Sequence, residues 1–216
     1  MLDMFKYSAR IDEQEFFNAA NQELQKLVSS SISYAINKTR SLFIQEIKKS
    51  LIEDSFYSSL TDYDNVLFFQ IGLPNVGSVA DTIVDYVSKA FSLRKLPAKK
   101  NDFGGFSIVV LKEGIQPLLS LPFASYKSKG GDVNWLEWLL TAGTSEVVAN
   151  YRIMYGDFRS SRTKEAIMVP SKSGGFKFDS EFAGTEDNNW ITRSLSRLES
   201  RLKAIFENII NNYIQK

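Results

Sequence analysis

Seven apolar residues near the C-terminus, Ile191, Leu195, Leu198, Leu202, Ile205, Ile209 and Tyr213, recur by fours and threes. That spacing places them on one stripe of a helix over about 187–214, about 40 Å long at 1.5 Å per residue. A helix with one apolar stripe cannot stand alone, so the rest of the chain must cover it. Arg193, Arg197 and Arg201 follow at four-residue steps on its flank. They either solvate the helix or face an acidic neighbour in an oligomer.

A second long element lies at the other end. Asp12 and Glu15 have capping-box spacing, and Phe17, Ala20, Leu24, Leu27, Ala35, Leu42, Phe43, Ile47 and Leu51 then recur at helical steps. One long helix, or two end to end, is expected over 13–54. The weak point is SSSISYAINKTR, whose hydroxyls compete for backbone hydrogen bonds; a break is expected, if anywhere, near 29–33.

Between these helices the pattern shortens. VLFFQI, 66–71, is an apolar run bounded by Asp/Asn and Gly/Pro, which reads as a buried strand. GLPNVGSVADT and a helix over about 78–93 follow it. Strand, glycine turn and helix suggest a phosphate loop, but Ser78 and Val79 stand where its lysine and hydroxyl belong. The segment therefore reads as a turn with Ser78 capping the helix. KAFSLRKLPAKK, 89–100, carries five basic residues and no acidic one; Lys95, Lys99 and Lys100 either solvate a helix end or touch nucleic-acid phosphate.

GGFSIVVLKEG predicts a strand over about 105–112, and the Lys-Ser-Lys-Gly-Gly stretch within 125–131 predicts a mobile loop. NWLEWLLTAG predicts a helix ended by Gly143. SEVVANYRIMYGDF alternates as a strand with one face buried, and EAIMV, 165–169, returns as its partner. The loop between them is longer than a hairpin needs. It carries Arg159, Arg162 and Lys164 and is either a contact surface or a floppy connection.

Composition limits the chemistry. The 216 residues include no cysteine and no histidine, and 26 basic residues balance 25 acidic ones to a net charge of +1. Thiolate and imidazole chemistry are thus missing, and no global field draws the chain to nucleic acid. Carboxylates remain, without a spacing that singles out a catalytic pair. MLDMFKYSARIDEQEF lacks a basic region followed by an apolar run, and no apolar stretch approaches 18 residues, so neither a signal peptide nor a membrane span is expected.

EFAGTEDNNWITRSL, 181–195, remains to be explained. Gly184 is expected to take backbone angles closed to other residues, Thr185 or Asp187 to cap the last helix, and Trp190 to pack in its first turn. This reads as a docking corner rather than an active site, since no base stands ready beside a nucleophile.

WLEWLLTAG, the tyrosine-rich strand, SRTKEAIMV and EFAGTEDNNWITRSL, in that order over roughly 134–212, resemble the neck and tail-completion proteins of tailed bacteriophages. Those proteins show a Trp-Leu-Glu block, a strand, an Ala-Ile-Met strand and a Phe-Ala-Gly-Thr step before the last helix. Lys177-Phe178-Asp179-Ser180 stands where the family often has proline. The resemblance implies a single α+β domain, with long N-terminal and C-terminal helices packed on a short antiparallel β-sheet. It also implies a virion structural protein that forms a ring between head connector and tail, without enzymatic activity or cofactor. Its expected partners are copies of itself and neighbouring connector, neck or tail proteins, met through Arg159, Arg162, Lys164, Arg193 and Arg197. A tail terminator or other connector ring, or a module touching genomic DNA nonspecifically, is the alternative.

Overall fold

The computed structural model describes residues 12–99, 104–128 and 130–215. The fold is α+β. In chain order the elements are α1 (Glu13–Ile52), α2 (Ser55–Thr61), α3 (Val66–Ile71), α4 (Val76–Lys89), β1 (Phe91–Leu96), β2 (Gly105–Val110), α5 (Gln116–Leu119), β3 (Tyr126–Ser128), β4 (Gly131–Val133), α6 (Trp135–Thr141), β5 (Tyr151–Tyr155), β6 (Ala166–Pro170), α7 (Trp190–Ser196) and α8 (Glu199–Ile214). The strands form three separate pairs, β1–β2, β3–β4 and β5–β6, rather than one sheet. No helix among the described residues is long and apolar enough to cross a membrane.

The chain divides into two compact units. One takes the described residues of Met1–Thr39, Leu93–Ile108 and Ile205–Lys216; the other takes Arg40–Ser92 and Val109–Ala204.

In the first unit, α1 opens on Asp12, whose Oδ1 accepts from Glu15 N at 3.0 Å. The helix runs unbroken through 29–33 because its hydroxyls turn back on their own backbone. Ser30 and Ser31 donate to Leu27 O at 2.8 and 2.7 Å, and Ser33 donates to Ser29 O at 2.9 Å. Competition for the backbone is thus resolved inside the helix. Ile32, Ala35 and Phe206 are buried. Phe106 of β2 stacks on Phe206, and Tyr34 stacks on Tyr213 with 4.7 Å between centroids.

The second unit holds most of the buried side chains. Phe43, Ile47 and Leu51 repeat every four residues along α1 and are fully buried, as are Trp135, Leu136, Leu139 and Leu140 of α6. VLFFQI is helix α3, not a strand. Asn65 caps it by accepting from Leu67 N at 2.9 Å, and Gly72, at φ +69°, closes it in the left-handed region. Local caps decided what a six-residue apolar run leaves ambiguous. α4 starts at Val76 behind Asn75, so Ser78 lies inside the helix and does not cap it. α4 also ends at Lys89, earlier than expected, and the basic run continues as strand β1 instead of a helix end. The Lys-Ser-Lys-Gly-Gly stretch within 125–131, expected to be a mobile loop, contributes its described residues 127–128 and 131 to the antiparallel pair β3–β4.

The β5–β6 hairpin is antiparallel with Ile153 opposite Met168. Its strand is shorter than the alternation suggested, because Asn150 turns the chain at φ +59°. The expected buried face is open, since Tyr151 and Tyr155 are exposed. The C-terminal helix is two helices: after Ser196 the chain takes a tighter turn, with Leu198 N donating to Leu195 O at 3.0 Å, before α8 begins.

Candidate functional site

The segment preceding α7 is a locked corner in the second unit. Gly184 N donates to Leu139 O at 2.9 Å and Gly143 N donates to Gly184 O at 2.8 Å, fastening the segment to the end of α6. Gly184 does not have the positive φ expected of it; Gly143 does, at +58°. Gly184 is required by proximity instead. A Cβ there would stand 2.6 Å from Asn189 Cβ and 3.2 Å from Leu139 O.

The cap of α7 is Asn189, correcting the expectation of Thr185 or Asp187. Asn189 Oδ1 accepts from Thr192 N at 3.1 Å, and Asn189 N donates to Thr192 Oγ1 at 2.8 Å, a complete capping box. Its amide Nδ2 donates to Thr185 O at 3.0 Å, Glu186 O at 3.2 Å and Leu140 O at 3.5 Å. Thr185 enters through its backbone, which exchanges two hydrogen bonds with Asn188, while Asp187 is exposed.

Trp190 fills the first turn of α7 as expected. It is 2% exposed, its Nε1 donates to Leu51 O at 3.2 Å, and its ring stacks on Phe56 at 5.1 Å. Asn189 and Trp190 thus tie α7 to α6, α1 and α2 together.

Beside the corner lies a cleft of about 580 Å³ lined by Asp54, Ser55, Phe56, Ser59, Glu181, Phe182, Arg193, Ser196 and Arg197. Asp54 is its fixed charge. One carboxylate oxygen caps α2 through Phe56 N at 2.9 Å; the other takes the Arg197 guanidinium and Ser194 Oγ. Arg193 leans on Asn188, 3.3 Å from its Oδ1. Arg201 lies 2.9 Å from Glu46, where the carboxylate oxygen is in ion-pair range but too poorly aligned to accept a hydrogen bond. Arg197 and Arg201 therefore meet acidic partners within their own chain, on α1 and just after it. For these two the acidic neighbour, weighed against plain solvation of the helix, lies in the same chain.

Tyr57 borders this region and donates to Asp81 at 2.5 Å. Partial burial and the Asp81 carboxylate push its hydroxyl up to about 12.

The loop joining β5 to β6 is ordered by its own hydrogen bonds, Gly156 N to Glu165 O at 2.8 Å and Ser161 N to Phe158 O at 2.8 Å. The Arg162 guanidinium lies 4.0 Å from the centre of the Tyr126 ring and donates to Lys127 O, so it holds β3. Arg159 and Lys164 are exposed and make no ion pair among the described residues. Lys164 also lines a cleft of about 450 Å³ with Phe69, Tyr155, Gly156, Asp157 and Glu165.

Lys95 and Lys99, read as either solvating a helix end or touching phosphate, lie in the first unit. Lys95 Nζ donates to Ser29 O at 2.9 Å and to Ser33 Oγ at 3.0 Å, so it is committed to α1. Lys99 is exposed, and Lys100 lies outside the described residues. Sequence reasoning missed Asn189 and Asp54; the Asn189–Thr192 spacing was the signal for the first.

Chemically, the corner and cleft provide fixed dipoles and paired charges. Ser196 Oγ is spent on Arg193 O at 3.0 Å. Among the described residues no three Asp or Glu side chains gather where a metal ion could be held. No family model, curated protein or solved structure matches this chain.

Proposed function

We propose that this chain is a ring-forming structural component of a tailed-phage virion, at the neck between head connector and tail, and that it performs no chemistry of its own. The observation that carries this reading is the corner. The Gly184–Trp190 segment, the part most like the phage neck proteins, spends its polar groups on orienting α7, through Leu139 O, Leu140 O and Leu51 O. Such a segment serves shape: it sets the direction of α7.

Exposed side chains in each of the two units support an assembling subunit. Phe16 and Phe17 on α1, and Tyr151, Met154, Tyr155 and Met168 on the β5–β6 hairpin, present apolar area that a partner would cover. Arg159 and Lys164 at the hairpin loop, and Arg193 at the cleft, are the charged groups placed to meet neighbours. DNA contact is the weaker reading, because Lys95 is already engaged.

The test is the mass of the purified chain over a range of concentration, alone and with portal, neck or tail-tube proteins of the same particle. A closed ring, or a ring completed on one of these partners, is expected. A chain that stays monomeric at high concentration and binds none of them refutes the reading.

A further inference from the structure

The cleft beside the corner holds two charges that the chain itself leaves open. Asp54, Glu181, Arg193 and Arg197 all line it. Asp54 and Arg197 form an ion pair in which Asp54 is buried, so both belong to the fold. Arg193 and Glu181 make no ion pair among the described residues. Arg193 is half-buried, and its guanidinium reaches Asn188 through Nη1 alone, 3.3 Å from Oδ1 and 3.5 Å from the backbone oxygen. Its Nε and Nη2 have no acceptor among the described residues. A guanidinium drawn partly out of water, with one neutral residue beside it, is a cation still short of acceptors.

Two helices supply the donors. Arg193 and Arg197 stand four residues apart at the end of α7, and Ser55 and Ser59 stand four apart on α2. Residues at that spacing share a helix face. Both serines line the cleft, and neither hydroxyl makes a hydrogen bond among the described residues. Arg197 is held in place, its Nη2 on Asp54 and its Nε donating to Arg193 O at 3.3 Å, while its Nη1 has no acceptor among the described residues. An oxyanion entering the cleft therefore meets guanidinium donors from α7 and hydroxyl donors from α2.

Charge and size select the occupant. Arg193 and Arg197 balance Asp54 and Glu181, so the lining is neutral in sum and a bare anion drawn by Arg193 is opposed by Glu181. A doubly charged phosphate is opposed most. The two open charges differ in sign, and the ligand that answers both carries a carboxylate beside a cation. The volume of about 580 Å³ far exceeds a single ion, since one water takes about 30 Å³. It falls in the range of clefts that enclose ligands of many atoms, which suits a short stretch of peptide.

We propose that this cleft docks a segment of a partner protein in which an acidic residue stands beside a basic one, the carboxylate taken by Arg193 with the α2 hydroxyls and the cation by Glu181. This rests on the assembling-subunit reading for the partner's being a protein, and names what Arg193 meets there.

The probe is the capped peptide acetyl-Gly-Glu-Lys-Gly-amide, followed by saturation-transfer NMR on the full chain, a method suited to weak ligands of large assemblies. Binding should saturate at about 1–10 mM. Glutamine in place of the peptide's glutamate, or Arg193→Gln in the chain, should each weaken it about tenfold, and the two together no more than either alone. The peptide's lysine and Glu181 should couple in the same way. Lys172→Gln, an exposed charge outside the cleft, should change nothing. The substitutions on the peptide test the pairing even where a variant chain folds poorly. Losses that simply add, or a peptide bound equally by Arg193→Gln, overturn the site, as does absence of saturation transfer at about 10 mM. Inorganic phosphate or glycine that displaces the peptide at or below the peptide's own concentration overturns the partner segment, in favour of a free anion or a small zwitterion. Rings without peptide binding overturn the cleft and leave the assembly reading standing; coupled binding by a chain monomeric alone and with its particle partners upholds the cleft and overturns the ring.

Discussion

Replacing Gly184 by alanine separates two reasons for a glycine. Were this glycine chosen for unusual backbone angles, the change would cost about 1 kcal/mol of strain. Instead the added methyl stands 2.6 Å from Asn189 Cβ and 3.0 Å from Asn189 Cα. Apolar carbons rest at about 3.5–4.0 Å, so about 1 Å must be found. Asn189 cannot give it freely, because Thr192 N, Thr185 O and Glu186 O hold its side chain. Overpacking costs about 1–3 kcal/mol, and loosening two of those bonds about 1 kcal/mol each. Reduced freedom of the unfolded chain offsets about 0.4–1 kcal/mol. The net is about 3 kcal/mol, a fall of about 6–12 °C in Tm for a chain of this size. Thermal unfolding followed by circular dichroism and by tryptophan fluorescence measures it. Gly143→Ala, at φ +58° with its nearest neighbour 3.6 Å away, should cost about 1 kcal/mol. Gly77→Ala, inside α4 with 3.5 Å to Tyr63, should stabilise by about 0.5–1 kcal/mol. A Gly184→Ala chain as stable as the parent, or less affected than Gly143→Ala, refutes the close-approach argument.

Asn189→Asp keeps the helix-cap acceptor but places a carboxylate against the Thr185 and Glu186 carbonyls, so urea unfolding should show a loss of about 3 kcal/mol; capping preference alone predicts no change. Asp54→Ala removes a helix cap and the anchor of Arg197 and should cost about 2–3 kcal/mol. Arg197→Ala should cost about 1 kcal/mol, because its side chain is 59% exposed and water screens the pair; the reverse order in denaturant melts would contradict the assigned roles. The Tyr57 hydroxyl is raised from 10.0 to about 12, so folding favours its neutral form. That contribution is intact below pH 10.0 and is lost as pH climbs toward about 12. Tyr57→Phe should flatten this alkaline limb of the stability profile, and an unchanged slope would show that another group titrates there.

The long helices were legible because their apolar positions repeat over many turns, as Phe43, Ile47 and Leu51 do. Short elements were not. VLFFQI looks the same as a buried strand or a buried helix, and only Asn65 before it and Gly72 after it settle the matter. The turn at Arg197 and Leu198 was hidden because the apolar spacing keeps its phase across it; Ile191, Leu198 and Leu202 are buried on both sides of the break. At the corner, Trp190 was legible from its type and place. The role of Gly184 was not, since a glycine demanded by a neighbour's bulk and one demanded by dihedral angle look identical in one dimension. Arg197 and Arg201 were read as facing outward because nothing local announces Asp54 and Glu46, more than 140 positions away in sequence.

The hydroxyls of α1 have a further consequence. Ser31 and Thr39 are wholly buried, yet each is satisfied by a carbonyl of its own helix, Leu27 O and Ala35 O. Neither asks anything of the surface packed on it. Unlike the side on which Ser33 accepts from Lys95, the side that carries Ser31 and Thr39 is chemically silent toward whatever lies alongside and recognises it by contour alone. A neighbouring side chain could shift along the helix there without stranding a single polar group.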